Sequence, residues 1–239
     1  MAEKSFSQYK LGFRDGVPIG LGYFSVAFTF GLAAMAMGLP LWAPVLISLS
    51  NVTSAGQFAG LTIIAALGSV LEIVLSQLVI NMRYALMSLS LSQKLDSTVR
   101  LRDRFLIAFI NTDEVFAVAA GRAGEVGRWY MFGLITAPYF GWGLGTLCGA
   151  AAGDIMPASL ASALGIAIYG MFLAIIIPPA KKDRSVVMVI ALAVAVSCLL
   201  QWLPMFDFLG SGFVIIICTL LAATLGAWLC PVKEDEADA

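Results

Sequence analysis

The stretch Leu78-Val79-Ile80-Asn81-Met82-Arg83-Tyr84-Ala85-Leu86 lies in the middle of a long apolar run. A helix over Val70–Ser92 puts Arg83 close to the bilayer centre, where an arginine costs about 2.5–3.5 kcal/mol on insertion scales. That is too deep for the side chain to snorkel comfortably to the interface. An arginine there marks a polar pathway or a partner inside a membrane protein. A second polar island, Asn111-Thr112-Asp113-Glu114, interrupts another apolar run. Opposite charges in two such places are expected to meet in one buried site. Glu72 shares the helical face of Arg83, but eleven positions separate the two, a rise of about 16 Å, so Glu72 is not its direct partner.

Composition agrees with a membrane setting. The chain has 239 residues, 60% hydrophobic and 12% charged, with a mean hydropathy of +0.93, whereas soluble domains carry about 25% charged residues. No polar interval is long enough to build a water-soluble core, so residues 1–239 read as a single integral membrane domain. Residues 1–14 form a cytoplasmic segment that leads straight into a full span, unlike a cleavable signal peptide with its short apolar core. The net charge of −1 and the scattered basic residues argue against nucleic acid as a partner. With no histidine in the chain, the usual zinc sites and histidine-based triads are excluded. No metal, cofactor or catalytic residue is expected. Gly210-Ser211-Gly212 reads as a turn, since no nearby base could activate the hydroxyl. Cys148, Cys198, Cys218 and Cys230 lack metal-binding spacing and read as small buried apolar residues.

Six clean spans follow from the requirement for about 20 apolar residues: Val17–Gly38, Val70–Ser92, Trp129–Ala151, Leu160–Pro178, Ser185–Leu203 and Gly212–Cys230. Asp15 is placed to cap the first, with Pro18 in its opening turn. Two further apolar segments are broken, one by Asn51-Val52-Thr53-Ser54-Ala55-Gly56-Gln57 and one by the Asn111–Glu114 island. Irregular backbone at membrane depth survives only where protein or water satisfies it, and broken helices form substrate sites in many transporters. The fold expected is all-α and polytopic, with about six crossing helices plus two re-entrant or discontinuous elements. If both broken segments re-enter, every Lys and Arg except Arg83 falls on the cytoplasmic side, as the positive-inside rule requires. Both termini are then inside, and Lys233–Ala239 is an acidic solvated tail. The break sequences also echo each other. Thr53-Ser54-Ala55-Gly56-Gln57-Phe58-Ala59 resembles Asn111-Thr112-Asp113-Glu114-Val115-Phe116-Ala117, a faint repeat entering from opposite faces.

Arg83 either recognises a substrate carboxylate or gate partner, or locks two helices by a structural ion pair. Asp113 and Glu114 point about 100° apart on a helix, so one can pair with Arg83 or a substrate ammonium while the other caps the broken helix. A poorly solvated carboxyl group there can carry a coupling proton. Asn51, Thr53, Ser54, Gln57 and Asn81 supply hydroxyl and amide groups for substrate beside Gly56. A half-helix beginning at that break aims its positive end at an anion, and the same groups could equally be interhelical glue. Phe58 and Phe116 follow the breaks and can wall an apolar subsite or simply pack. Gly141, Gly143, Gly145 and Gly149 permit close helix packing, with Gly145-xxx-Gly149 fitting the small-residue pattern.

Taken in order, Phe13-Arg14-Asp15-Gly16-Val17-Pro18-Ile19-Gly20, Ser54-Ala55-Gly56-Gln57-Phe58, Asn81-Met82-Arg83-Tyr84-Ala85-Leu86 and Thr112-Asp113-Glu114-Val115-Phe116 resemble the AzlC family of branched-chain amino-acid permeases, over about the first 180 residues. The resemblance implies a multi-pass protein of the cytoplasmic (inner) membrane that exports leucine, isoleucine, valine or related apolar amino acids beside a small AzlD-type membrane subunit. It places Gln57, Asn81, Arg83, Asp113 and Glu114 in the family's blocks. Ser54 stands where the family usually has glycine, and Tyr84 where it usually has histidine. No GxxxxGK[ST] motif is present, so transport is secondary or powered by another chain. The alternative is a non-transporting membrane scaffold whose buried charges are structural. A channel should show a continuous polar face along several spans, and only local islands occur.

Overall fold

The structure, a computed structural model, describes residues 2–153, 173, 176–181, 183–203 and 208–229. Among these the chain is helical, with no strand and one isolated bridge between Leu95 and Val126. The helices are α1 (Ala2–Ala36), α2 (Trp42–Ser50), α3 (Ser54–Ala65), α4 (Val70–Lys94), α5 (Leu101–Phe109), α6 (Asp113–Ala120), α7 (Arg128–Gly153), α8 (Arg184–Trp202) and α9 (Ser211–Leu229). Among the described residues, four helices (α1, α4, α8 and α9) are long and apolar enough to cross a membrane. The protein is thus an all-α polytopic membrane protein. Most of the span expected at Leu160–Pro178, Cys230 and the acidic tail lie outside the described residues. The chain divides into two compact units, residues 1–58 with 81–168 and residues 59–80 with 169–239, so the division falls within α3 and α4.

The first unit is organised by α1 against α7. Gly12, Gly16, Gly20 and Gly31 of α1 meet the backbone of α7 at Tyr130, Leu134, Ala137 and Thr146. In return, Gly133, Gly141, Gly145 and Gly149 of α7 meet α1 at Tyr9, Gly20, Phe24 and Phe28. A Cβ at any of these positions would collide with a carbonyl of the other helix. Partners advance in the same direction along both chains, so α1 and α7 run parallel. On α7 the small residues recur every fourth position from Gly133 through Ala137, Gly141, Gly145 and Gly149 to Gly153, a single stripe down one helix face. Only part of that stripe was expected from sequence.

The start of α1 departs from expectation. The helix begins at Ala2 and carries Asp15 and Pro18 in its interior. Asp15 does not cap. Its carboxylate accepts a hydrogen bond from the Tyr130 hydroxyl at 2.7 Å and lies 3.7 Å from the Arg122 guanidinium. Packing on α7 carries the helix through the proline, whose missing N–H removes one backbone bond. At its other end α1 is closed by Gly38 at φ +82°, with Gly38 N–H donating to Met35 and Leu39 N–H to Ala34, the paired bonds of a glycine C-cap.

Both interrupted segments are helical hairpins, and they enter from opposite ends of the α1–α7 pair. After α1 ends, α2 turns back, and Ser48 reaches Thr146 while the Leu49 carbonyl accepts from the Tyr139 hydroxyl. Residues 51–53 then break the helix. The beginning of α3 heads back, placing Gln57 beside Ser48 and Phe58 edge-on to Phe30. The second hairpin starts where α1 starts. Asp103 of α5 pairs with Arg128 at 3.2 Å, and Phe109 reaches Tyr139. After a break at residues 110–112, α6 returns from Arg83 to Lys94, whose ammonium donates to the Ala120 carbonyl at 2.6 Å. Arg122 then meets Asp15. Lys94, Arg122 and Arg128 therefore gather at the end where α1 begins.

The two breaks share one backbone pattern. Thr53 N–H donates to Asn51 and Thr112 N–H to Ile110, while Gln57 N–H donates to Thr53 and Phe116 N–H to Thr112. This sets Thr53 opposite Thr112, one residue from the alignment of Thr53 with Asn111 read from side-chain similarity. The repeat is one of backbone geometry, which side-chain likeness tracks loosely.

In the second unit, Gly210 and Gly212 approach the Glu72 carboxylate and Ile63. Gly210 precedes α9, and Ser211 opens that helix rather than sitting in a turn, with Phe213 N–H donating to the Gly210 carbonyl. Asp183 caps α8 by accepting from Ser185 N–H at 2.8 Å. The cysteines depart from the buried reading: Cys148 is exposed, and Cys198 and Cys218 are half-buried. Cys148 lies on an outward face of α7, where lipid rather than protein meets an apolar side chain.

Matched substitutions test the α1–α7 contact. Gly145→Ala places a methyl group against the Phe24 carbonyl, whereas Gly22 has nothing within 4 Å of an added Cβ. Overpacking costs about 1–3 kcal/mol. Thermal unfolding in detergent is expected to show a midpoint lower by several degrees for Gly145→Ala and no loss for Gly22→Ala. Equal shifts in the two variants would contradict the packing account.

Candidate functional site

The polar groups of both breaks converge on one stretch of α4. Thr53, at the first break, caps α3 by accepting from the Gly56 N–H and donates its hydroxyl proton to Asn81 Oδ1 at 2.9 Å. Two residues along α4, Arg83 Nη1 lies 2.6 Å from Asp113 Oδ2, at the first turn of α6. The Arg83 guanidinium also lies over the Tyr84 ring, 5.0 Å from its centroid. Glu114 turns away from Arg83 and accepts a hydrogen bond from the Tyr23 hydroxyl of α1. The two acids thus serve different helices, as their angular separation requires. Neither caps α6. The N-cap is Thr112, which makes no side-chain capping bond.

The Arg83–Asp113 pair is open rather than buried. The side chains are 47% and 44% exposed, against the fully enclosed site expected from sequence. The physical reason lies in α4, whose face bearing Met82, Leu86 and Leu89 is also exposed. Arg83 stands at the edge of that face, with its guanidinium turned toward the tip of the second hairpin.

Gln57 is placed differently. Its side chain is 2% exposed, and both ends of its amide are taken. Nε2 donates to Ser48 Oγ at 2.7 Å, and Oε1 accepts from Trp142 Nε1 at 2.7 Å. Ser48 in turn bonds Thr146 at 2.6 Å. This chain ties α2, α3 and α7 together and holds the first hairpin closed. Trp142 also meets Tyr23 edge-on, with ring centroids 5.4 Å apart. One run of contacts therefore connects Glu114 at one break, through Tyr23 and Trp142, to Gln57 beside the other.

The other expected residues take simpler places. Asn51 ends α2, its N–H donating to Ile47, and Ser54 opens α3. Phe58 packs on Phe30, and Phe116 packs against the cluster of Val115, Ile107, Met131 and their neighbours. Tyr23, Ser48, Trp142 and Thr146 were missed by the sequence reading. Tyr23, Trp142 and Thr146 lie in clean apolar spans and Ser48 in the apolar run before the first break, where a tyrosine, tryptophan or hydroxyl has no local feature to set it apart. Their signal is relational, since a buried indole N–H or amide needs a partner, and that partner sits on another helix.

Fold and site together define a polytopic membrane protein in which the polar groups of two broken-helix hairpins meet Asn81 and Arg83 of α4. The profile described as AzlC protein matches residues 18–156. Relatives include a protein of Archaeoglobus fulgidus named an uncharacterized membrane protein, 33% identical over 73% of this chain and 77% of its own length. They also include the inner membrane protein YgaZ of Escherichia coli, 29% identical over 78% of this chain and 79% of its own length. An uncharacterized membrane protein of Helicobacter pylori is 28% identical over 61% of this chain and 64% of its own. No solved structure matches the chain. This chain belongs to the AzlC family, a transporter-type family of membrane proteins.

The Gln57 network makes a stability prediction. Gln57→Leu strands the buried Trp142 N–H, which costs about 1–3 kcal/mol. Adding Trp142→Phe removes the stranded donor, so the double variant is expected to lose less than the sum of the singles. Chemical unfolding in detergent measures this. Additive losses would show that the two side chains are not coupled.

Proposed function

We propose that this protein is a secondary transporter of the cytoplasmic membrane that exports branched-chain or other apolar amino acids, working beside a small AzlD-type membrane subunit. The observation that carries the reading is the accessible Arg83–Asp113 pair at the meeting of two oppositely entering broken helices. Arg83 offers a planar two-toothed contact to an α-carboxylate. Asn51, Thr53, Ser54 and Asn81 line the approach from the first break, and Gln57 holds that hairpin in shape from behind. Phe58 and Phe116 back the apolar part of the substrate. Asp113 and Glu114 serve as charge partners and as carriers of a coupling proton. Membership of a transporter-type family supports the same reading.

The hairpins suit a carrier. Each enters from its own end and stops at the middle, so moving one against the α1–α7 pair opens the middle to one side at a time. The clustering of Lys94, Arg122 and Arg128 at the end where α1 begins favours that end as cytoplasmic. The scaffold reading draws support from the saturated Gln57–Ser48–Trp142 bonds, which are structural. It leaves the exposure of Arg83 and Asp113 without a purpose.

Counterflow of labelled leucine into proteoliposomes, with and without an AzlD-type subunit, tests the proposal. Leucine, isoleucine, valine and methionine are expected to compete better than alanine by several-fold or more, since each buried methylene contributes about 0.8 kcal/mol. Lysine and glutamate should not compete, because an apolar wall leaves their charges unpaired. Arg83→Ala is expected to abolish uptake while the protein still inserts and folds, with little rescue by Arg83→Lys. Normal transport by Arg83→Lys together with aggregation of Arg83→Ala would favour the structural ion pair.

A further inference from the structure

Among the described residues, no protein group satisfies one buried acceptor at the second break. Asn111 is 2% exposed, and its Nδ2 donates to Ser88 Oγ of α4 at 3.2 Å, while its Oδ1 has no hydrogen-bond partner. An acceptor buried without a donor costs about 1–3 kcal/mol, so such an atom calls for a ligand that donates. Asn111 lies two residues before Asp113, and its anchor Ser88 lies five positions beyond Arg83 on α4, a rise of about 7.5 Å.

The charges at this place add a second argument. Arg83 pairs with Asp113, while Glu114 accepts from the neutral hydroxyl of Tyr23. A ligand carboxylate that takes Arg83 displaces Asp113 from it. Unless the ligand brings its own cation, Asp113 is then left as an unpaired charge, which is strongly unfavourable away from water. A ligand carrying both charges exchanges one pairing for two.

We infer that Asn111 is a specificity-determining binding residue that, with Asp113, receives the ammonium group of a zwitterionic α-amino acid whose carboxylate takes Arg83. The inference rests on the transport reading and deepens it. The substrate class becomes the intact zwitterion, to the exclusion of 2-oxo acids and amines of the same carbon skeleton. Opening the Arg83–Asp113 pair is then part of substrate binding. Both new contacts form together, so neither half of the substrate opens the pair alone.

The test uses three ligands with one side chain: leucine, 4-methyl-2-oxopentanoate, which lacks the ammonium, and isopentylamine, which lacks the carboxylate. Binding to the purified full-length chain is measured by competition with labelled leucine, in the native protein and in Asn111→Ala and Asn111→Asp, with folding checked by gel filtration and thermal midpoint. The native protein should prefer leucine to each analogue by about tenfold or more, the scale of one hydrogen bond to a charged group. Asn111→Ala should weaken leucine by a similar factor and leave the 2-oxo acid unchanged, so that the preference collapses. Asn111→Asp, which keeps an acceptor there, should retain leucine binding. Parallel weakening of leucine and the 2-oxo acid in a folded Asn111→Ala protein would assign Asn111 a structural role and overturn the inference. Equal competition by the 2-oxo acid in the native protein would overturn it too, while leaving amino-acid transport standing. Failure of leucine to bind the native protein at all would overturn the transport reading and this inference with it.

Discussion

The structure of the first unit depends on how closely α1 and α7 approach. In a bilayer there is no hydrophobic gain in moving an apolar side chain from lipid to a neighbouring helix, so association rests on packing and interhelical hydrogen bonds. Glycine at eight facing positions lets the two backbones touch along most of their shared length. The resulting parallel pair is a closely packed post. Both hairpins lean on it, the first through Ser48, Leu49 and Trp142, the second through Phe109, Asp103 and Arg128. Without that post the breaks have nothing to align them. The polar groups at their tips would then face lipid without partners, which the bilayer does not tolerate.

Given the post, the two breaks solve opposite problems. At the first, most polar groups are satisfied by protein: Thr53 by Asn81 and Gly56, Gln57 by Ser48 and Trp142. That hairpin is knitted shut. At the second, the bonding is incomplete and charged. Arg83 and Asp113 are half exposed, and Asn111 keeps a buried acceptor free. A fully satisfied network rigidifies, whereas an incompletely satisfied one is costly until something completes it. Tyr23 stands between the two, bonded to Glu114 and stacked edge-on with Trp142. It touches a side chain of the second break and the partner of Gln57 beside the first.

Much of this was legible in the chain because a bilayer makes a few residues expensive. Arg83 could be matched from sequence with the Asp113-Glu114 island, though not with one acid over the other, since a lone charge at that depth has few physical solutions. The interruptions at residues 51–53 and 110–112 were visible as polar islands in apolar runs, and their re-entry followed from keeping basic residues on one side. What sequence hid were features set by the other helix. The stripe on α7 was read at only part of its length, because spacing alone does not say which small residues face a partner. Asp15 and Pro18 read as a helix start, as they do in isolation, until packing on α7 carries the helix past them. Gln57 looked like a ligand-binding amide, and only the position of Trp142 and Ser48 shows that its bonds are already used.

The central claim is that the Arg83–Asp113 pair exists to be opened by substrate rather than to hold helices together. Removing both partners distinguishes these roles, because deleting a whole ion pair leaves no uncompensated charge and is often neutral for stability. The measurement is leucine uptake by Arg83→Ala/Asp113→Ala in proteoliposomes, alongside its thermal midpoint, compared with the native protein. The account predicts a folded protein of near-native stability with no uptake. Native uptake by the double variant would contradict it, and the pair would then be a structural contact only.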